Sequence, residues 1–564
     1  MSKESQLPVR PYWEYVLPAL AIISLLVSCI YVSGNKFFWN DELYSYYFTS
    51  DPSFTGMLSA FHDKINNTPL LYFLLGWIWD KAFGSSELSL RLFSSLGMCV
   101  ALVVTWVVVR RHFGLWSTTV GVLGVFCTSE VILLQNAEAR MYGLFLALSA
   151  FALLLYDQFY RNFKPSNKQL ILNSCVHIAI VHTHLFGGFY SGAILLAMLV
   201  ADWFFNIFRL RVYLSIILSW VTILFYIPSF LNQADAGNPR TWLPEPIFRD
   251  LLDMFHFHAS TFLHQSLPLL LLVISVFIIF GRELKGTTLQ REPAPTTNTQ
   301  SIIPLMVLTV AFLVLPVFIW VISKTIKPIF WERYMIPSAL GWVIVLAYFS
   351  SYIFHLSVFK KQVHSKAVKF RHLPSFMIGI SAFVLLAFFL CRPLMYANTV
   401  KKYDQPGTTD ATGGYNDLPV VLQMAGPFLE RIHYAPNPER YYYILDWEAA
   451  VDENSGLFTP QEYKHMEAIK RNYPHLFQNN VLTTEEFLQR FDRFLVLDHP
   501  DYLRECPLEP QGLETAREWD DIQCPQWVEM RLLNNDAYNV TFLNDDNWFS
   551  VLLVEKQEDL RPEE

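Results

Sequence analysis

The sequence predicts an all-α polytopic membrane domain of about eleven transmembrane helices, followed by a small C-terminal α/β domain. Of its 564 residues, 53% are hydrophobic and only 16% are charged, whereas about 25% of a soluble chain is charged. Apolar runs of about 20 residues, long enough to cross a bilayer, account for the missing charge. After residue 404 these runs stop, and short β-branched or aromatic segments alternate with helical ones.

Eleven apolar runs are candidate spans: 15–33, 89–109, 115–134, 143–160, 170–184, 187–206, 213–231, 266–280, 302–323, 335–354 and 374–391. Basic residues gather in alternate loops, at Arg110, Arg111, Arg161, Lys164, Lys168, Arg209, Arg211, Arg282, Lys285, Arg291, Lys360, Lys361, Lys366, Lys369 and Arg371. Because basic loops stay cytoplasmic, the N-terminus is predicted to be cytoplasmic and the chain after Arg392 to be exported. The first run lacks a small-residue cleavage site and is predicted to be retained.

These features divide the chain into a membrane domain, 1–400, and an exported soluble α/β domain, 404–564, joined by a linker rich in Gly and Thr. The first external loop, 34–88, contains Leu70–Trp79, an aromatic-rich run too short to cross the bilayer. Such a run predicts an interfacial helix. In the exported domain, an oxidising compartment would allow Cys506 and Cys524 to form a disulfide.

Ionisable residues gather at the outer ends of the predicted spans. An acidic pair, Asp41-Glu42, directly follows the first span, and the others are Glu138, Arg140, His182, His184, Lys324, Lys327, Glu332 and Arg333, with Tyr142 and Tyr334 beside them. Ionisable groups at membrane depth are costly and favour a functional interpretation. A carboxylate there can act as a general base on a hydroxyl, and arginines can bind phosphate oxygens in pairs.

Structural interpretations compete with these roles. Taken alone, Asp41-Glu42 is more often a helix cap or a solvated loop charge, so the chemical interpretation depends on the convergence of the outer-end residues. His182 and His184 are compatible with a metal, but no acidic third ligand follows nearby, which favours structural or substrate contacts. No metal site or cofactor is therefore assigned. Since no nucleotide-binding loop is present either, a donor would have to be delivered within the membrane.

Several short segments follow one another in a fixed order along the chain: Asp41-Glu42, Pro69–Leu75, Phe83–Leu92, Arg110–Gly114, Glu138–Tyr142, His182–Gly187 and Arg333-Tyr334. Their ordered combination resembles the bacterial GT-C glycosyltransferases. Within them it is most similar to the group of protein O-mannosyltransferases, the aminoarabinose transferase of lipid A and the RgtA/B/C/D-like enzymes. One departure is Asn66-Asn67-Thr68, where relatives often carry His or Lys and a double Pro.

The resemblance implies an inverting transferase of the bacterial inner membrane. It would move a sugar from a polyprenyl-phosphate donor to a hydroxyl of an envelope lipid, glycan or protein, on the periplasmic face and without nucleic acid. Asp41 matches the catalytic acidic position, with Glu42 beside it, and Arg140 and Arg333 match donor-phosphate positions. The remaining substrate-binding candidates are Glu138, Tyr142, His184 and Tyr334.

Two other functions remain open from the sequence. A lipid flippase or transporter would carry polar groups at the midpoints of several spans, whereas the charges here gather at the outer ends. A non-catalytic assembly protein would use its exported domain to bind envelope partners. Loss of sugar transfer on Asp41→Asn would distinguish the enzyme from that last function.

Overall fold

The computed structural model describes residues 12–239, 241–254, 299–358, 373–410, 412, 414–452, 459–498, 526–545 and 549–557. The predicted span 266–280 and the predicted Cys506–Cys524 disulfide lie outside these ranges. Both therefore stay predictions.

Helices make up the described part of the membrane domain. They are α1 Val16–Asn35, α2 Asn40–Thr49, α3 Phe54–His62, α4 Leu71–Phe83, α5 Glu87–His112, α6 Leu115–Phe126, α7 Glu130–Asn136, α8 Tyr142–Arg161, α9 Asn167–Thr183, α10 Gly187–Phe204, α11 Leu210–Trp220, α12 Ile227–Ala234, α13 Thr299–Thr325, α14 Ala339–Val358 and α15 Leu373–Thr399. A short 3-10 helix, Glu332–Ser338, leads into α14. The predicted all-α membrane domain is thus confirmed.

Seven described helices are long and apolar enough to cross a membrane, or up to nine if each of two bent pairs forms one span. The fifth predicted span corresponds to α9, which has 17 residues. The third predicted span is two helices, α6 and α7, at an angle of 63°. Thr128 donates a hydrogen bond back to the Gly124 carbonyl, and Ser129 accepts the Ile132 N–H at 3.5 Å, so these residues end one helix and start the next.

The pairing of α5 with α8 fixes the centre of the bundle. A Cβ atom at Gly143 would overlap the Ser94 carbonyl oxygen, and one at Gly97 would overlap the Gly143 backbone. Small residues at such a crossing allow two helix backbones to touch. The Ser94 hydroxyl also donates to the Arg140 carbonyl oxygen at 2.8 Å, so this contact places the segment that precedes α8.

The two ends of the bundle carry different charged groups. At one end, Arg110 pairs with Glu14 at 2.9 Å and Arg209 pairs with Asp202 at 2.7 Å. The opposite end holds α2, α3 and α4, together with the α7–α8 and α9–α10 connections. The aromatic-rich run predicted as an interfacial helix is α4, which packs against α2. The acidic pair of α2 and the residues of the α7–α8 and α9–α10 connections therefore share one end of the bundle.

The C-terminal domain is an α/β fold, as predicted. Its elements are β1 Val420–Leu422, α16 Ala425–Tyr434, β2 Tyr441–Leu445, α17 Trp447–Val451, α18 Thr459–Asn472, α19 Pro474–Phe477, β3 Val481–Thr483, α20 Thr484–Leu488, β4 Arg493–Asp498, α21 Gln526–Val528, β5 Tyr538–Asp545 and β6 Ser550–Lys556. The six-stranded sheet has the order β3-β2-β1-β4-β6-β5. β3, β2, β1 and β4 run parallel, and β6 and β5 are antiparallel additions.

We expect Gly143→Ala to destabilise the protein by about 1–3 kcal/mol, because its methyl group must push α5 and α8 apart. The matched control is Gly192→Ala in α10, where a Cβ meets no atom within 4 Å and alanine favours the helix. Thermal unfolding in detergent would compare the two variants. An equal melting temperature for both would contradict the close-packing argument.

Candidate active site at the outer end of the bundle

The α1–α2 junction holds the acidic pair. The chain leaves α1 at Asn35, runs extended to Trp39 and enters α2 at Asn40, so Asp41 and Glu42 lie in the first turn of α2. Acidic side chains in a first turn are favoured by the helix dipole and by the free N–H groups there. The Glu42 carboxylate also accepts the Trp39 N–H at 3.4 Å. The two adjacent carboxylates nevertheless have very different surroundings.

Glu42 forms a fully buried ion pair with Arg91, both side chains being 0% exposed. Arg91 donates from Nε and an Nη to the two carboxylate oxygens, at 2.8 and 2.7 Å. Its remaining donors bind the carbonyls of Lys36 and Phe37, and the Ala139 N–H donates to Glu42 at 2.7 Å. Burial alone would raise the pKa of Glu42, but attraction and hydrogen bonds to Arg91 outweigh it and lower this pKa. The pair ties α5, the α1–α2 junction and the α7–α8 connection together.

Asp41 is half-buried and lies between two arginines. Arg333 donates to its Oδ2 at 2.7 Å, and an Arg140 Nη lies 3.8 Å from the same oxygen. Arg140 is itself oriented by hydrogen bonds to the Asp41 carbonyl, at 2.9 Å, and to the Ser45 hydroxyl, at 3.0 Å. The helix turn that carries the carboxylate therefore also positions one of its cationic partners.

The two neighbouring arginines determine the electrostatic state of Asp41. Burial alone would raise its pKa, but the positive charges of Arg333 and Arg140 outweigh burial and lower the pKa of Asp41. The sequence resemblance assigned both arginines to a donor phosphate, and the structure shows that both lie beside the Asp41 carboxylate. Asp41 is consequently ionised at neutral pH.

Aromatic side chains enclose the Arg333 guanidinium. Its central carbon lies 5.6 Å from the Trp39 ring centroid, 5.9 Å from that of Tyr142 and 6.0 Å from that of Tyr334. Such rings attract a cation and hold the planar guanidinium in place. The arginine is thus fixed before any ligand arrives.

His184 completes the aromatic wall. Its ring centroid lies 5.2 Å from that of Tyr334 and 5.7 Å from that of Tyr142. Its Nδ1 accepts the Phe186 N–H at 3.1 Å. Burial, with the nearby charges of Arg140 and Arg333, lowers the pKa of His184 to about 3. The imidazole is therefore neutral, and its Nε2 carries the proton.

Several buried polar atoms around Asp41 have no hydrogen-bond partner. They are Arg140 Nε, Arg333 Nε, the Tyr142 hydroxyl and Glu138 Oε2. Lys36 Nζ lies 3.9 Å from the other Glu138 oxygen, and burial raises the pKa of Glu138. Because buried polar groups are normally hydrogen-bonded, such a concentration of free donors and acceptors indicates a binding site for a polar ligand.

The structure brings together Asp41, Glu138, Arg140, Tyr142, His184, Arg333 and Tyr334, and puts Glu42 immediately behind them. His182 lies apart, since its Nε2 contacts the Thr222 hydroxyl at 3.0 Å. Lys324 also lies apart and pairs with Glu245 at 2.6 Å. Within the described ranges, no group of three or more His, Cys, Asp or Glu side chains could hold a metal ion.

Sequence reasoning missed three neighbours of the site: Trp39, Ser45 and Arg91. Arg91 lies within the Phe83–Leu92 segment that carried the resemblance, and the available signal was a single charged residue inside the apolar predicted span 89–109. Trp39 directly precedes the acidic pair. Ser45 follows Asp41 by one helical turn, a spacing that places both on one face.

No family model matches the sequence, and a search of curated proteins found no match. Two solved structures of ArnT from Cupriavidus metallidurans are similar to the chain. The apo form has a TM-score of 0.51 at 12% identity, covering 96% of this chain and 97% of ArnT. The chain adopts an ArnT-like fold. The form bound to undecaprenyl phosphate gives 0.48 at 12% identity, covering 96% and 98%.

The similarity to the ArnT fold confirms the predicted architecture, a helical membrane domain followed by a C-terminal α/β domain. The similarity includes both parts of the chain, since 96% of the chain is aligned with the apo structure. At such low identity the comparison establishes the fold alone. The chemistry of the site therefore has to be argued from the side chains of this chain.

Breaking the buried pair should be costly. We expect Arg91→Met to destabilise the protein by about 3–5 kcal/mol, because it leaves the Glu42 carboxylate buried without its partner. The control is Arg249→Met, which removes an exposed pair with Asp253 and should change stability by less than about 1 kcal/mol.

Thermal unfolding in detergent would measure both variants and the double variant Glu42→Gln/Arg91→Met. The double variant should recover part of the loss, since it no longer buries an unpaired charge. A loss in Arg91→Met no larger than in Arg249→Met would contradict the structural role of the pair.

Proposed function

We propose that this protein is a membrane glycosyltransferase that moves a sugar from a polyprenyl-phosphate donor to an acceptor hydroxyl, with inversion at the anomeric carbon. The observation that carries the proposal is the Asp41 carboxylate held between Arg333 and Arg140, at 2.7 and 3.8 Å, at one end of the helix bundle. A base and two phosphate-binding cations are there within reach of one bound molecule.

The arginines suit the donor phosphate. Arg140 and Arg333 are fixed by neighbouring groups, and the Nε of each is free. Guanidinium groups bind phosphate oxygens with paired, charge-assisted hydrogen bonds. ArnT was crystallised with undecaprenyl phosphate, and the same class of lipid is proposed as the donor carrier here. Tyr142, His184 and Tyr334 would line the same side of the site.

Asp41 is proposed as the general base. Its two arginines lower its pKa and make it a weak base. A donor phosphate that takes over these arginines removes part of that stabilisation, so the proton affinity of Asp41 rises only when a donor is bound. This coupling would limit proton abstraction to the loaded site.

The reaction is a single displacement. The acceptor oxygen attacks the anomeric carbon as its proton passes to Asp41, and the bond from that carbon to the phosphate oxygen breaks. The negative charge that develops on the leaving phosphate is stabilised by Arg140 and Arg333. Glu42 is proposed to take no part in the proton transfer. It acts as a positioning residue, because Arg91 and the Ala139 N–H occupy its oxygens.

The site is proposed to face the periplasm from the inner membrane of a bacterium. Arg110 and Arg111 at the end of α5, Arg161 at the end of α8 and Arg209 after α10 lie at the opposite end of the bundle, which the positive-inside rule makes cytoplasmic. With the domain boundaries proposed from the sequence, 1–400 and 404–564, the whole α/β domain would lie on the same side as the site, outside the cytoplasm. The acceptor would be an envelope lipid, glycan or protein.

Asp41→Asn should reduce turnover at least about 100-fold, because a positioned carboxylate contributes roughly 10²–10⁴-fold. Donor binding should be kept or tightened, since the arginines lose their internal competitor. Purified protein would be incubated with a panel of polyprenyl-phosphate sugars, with mass spectrometry of the released polyprenyl phosphate. Asp80→Asn, at the end of α4, is the matched control with normal turnover. Normal turnover in Asp41→Asn would refute the assigned base.

Arg333→Met should weaken donor binding by about 2–5 kcal/mol, because the bound phosphate loses a desolvated partner. Arg333→Lys should restore only part of this, since an ammonium group lacks the planar fork of the guanidinium. Lys324→Met, which removes a cation at the same end of the bundle, is the control. Equilibrium binding of the donor would measure all three, and unchanged affinity in Arg333→Met would exclude this residue from the donor site.

A further inference from the structure

The C-terminal domain packs directly onto the helix that carries Asp41. α16 contacts α2, and α18 contacts α3. The Tyr434 hydroxyl accepts the Phe38 N–H at 3.0 Å and donates to Glu87 at 2.6 Å. The Tyr473 hydroxyl donates to the Tyr47 carbonyl at 2.9 Å. The α1–α2 junction and α2 are thus held from both domains.

The part of the sheet that faces the site is its topological switch point. β1 pairs with β2 on one side and with β4 on the other, all three parallel. In open parallel sheets, ligands bind at the carboxyl ends of the strands where the order reverses. Here the connection after β1, Gln423 and Met424, leads into α16, and a Cβ at Gly426 in the first turn of that helix would lie 3.2 Å from the Asn40 Cβ. The C-terminal domain therefore meets α2 one residue away from Asp41.

His465 of α18 lies over the same face of α2. Its ring centroid is 5.8 Å from that of Tyr44, which follows Asp41 by one helical turn. Its Nδ1 donates to the Lys64 carbonyl, which fixes the ring and leaves Nε2 as an acceptor, 3.3 Å from the Gln461 amide nitrogen. Burial lowers the pKa of His465, so its ring is neutral.

At this junction of the two domains, several neutral hydrogen-bonding atoms have no partner. They are the Tyr44 hydroxyl, Asn40 Oδ1 and Gln423 Nε2, and the side chains of Tyr44 and Gln423 are more than nine-tenths buried. The Glu462 carboxylate, which accepts the Ala425 N–H and the Tyr443 hydroxyl, lies beside them, and Lys64 and Lys464 pair with Asp235 at 2.5 and 3.1 Å. Neutral groups and a carboxylate beside aromatic rings suit a polyhydroxylated neutral ligand, whereas a phosphorylated one would require free cations.

Extending the proposed function, we propose that the acceptor is a neutral saccharide and that it binds at this junction, between Asn40 and Tyr44 of α2 and Gln423 and His465 of the C-terminal domain. The acceptor hydroxyl then reaches Asp41 from the C-terminal domain, while the donor phosphate lies against Arg140 and Arg333. His465 Nε2 exchanges its contact with the Gln461 amide for a hydrogen bond from a second acceptor hydroxyl. Part of the acceptor specificity is consequently encoded in the C-terminal domain.

The test is acceptor kinetics of the purified full-length protein, with methyl hexosides and a phosphorylated glucosamine disaccharide as probes. We expect transfer to a methyl hexoside, with an acceptor KM that rises about tenfold in Tyr44→Phe and in His465→Ala and a donor Kd that stays the same. His475→Ala, an exposed histidine of the same domain, is the control with unchanged KM.

Two conservative variants separate binding from a structural role. At position 465, the glutamine amide can take the place of the histidine Nε2 acceptor. The shorter asparagine amide can take the place only of the Nδ1 donor to the Lys64 carbonyl. His465→Gln should therefore restore the acceptor KM and His465→Asn should not. Three outcomes would overturn this inference alone. They are restoration of the acceptor KM by His465→Asn but not by His465→Gln, an unchanged KM in His465→Ala and Tyr44→Phe, and transfer only to the phosphorylated disaccharide. Absence of polyprenyl phosphate release by the wild type with every donor would instead overturn the proposed function.

Discussion

The buried ion pair between Glu42 and Arg91 is the interaction on which the site depends. It joins the end of α1, the start of α2, the middle of the α7–α8 connection and the first turns of α5. A charge pair removed from water is stable only when its remaining donors and acceptors are satisfied, and here backbone groups satisfy them. The pair therefore fixes the backbone on both sides of Asp41 and Arg140.

Two adjacent carboxylates thus have different roles because their surroundings differ. Glu42 is enclosed and saturated with hydrogen bonds, whereas Asp41 is half-buried and shares its arginines with a site that contains unpartnered polar atoms. The same arginines that lower the pKa of Asp41 are the groups that a phosphate would bind. Competition between an internal carboxylate and an incoming phosphate offers a physical reason for coupling donor binding to base strength.

The C-terminal domain belongs to the same structural unit as the site. Tyr434, Tyr473 and His465 contact residues within or beside α2, and a single apolar core continues from the helix bundle into the sheet. The parallel strands direct their carboxyl ends, and the loop after β1, toward the start of α2. The geometry of α2 is consequently determined by both parts of the chain.

The sequence by itself determined the class of fold and the end of the bundle that carries the site. Apolar runs of bilayer length and the strand pattern after residue 404 are local properties, and the order of the outer-end residues pointed to Asp41, Arg140 and Arg333. Only the tertiary structure decided which carboxylate is paired with Arg91, that both arginines lie beside Asp41, and that His465 lies over α2. These contacts join residues between about 50 and 420 positions apart, for instance Glu42 to Arg91 and Tyr44 to His465. No local pattern encodes such distances, because they follow from how the helices and the sheet pack together.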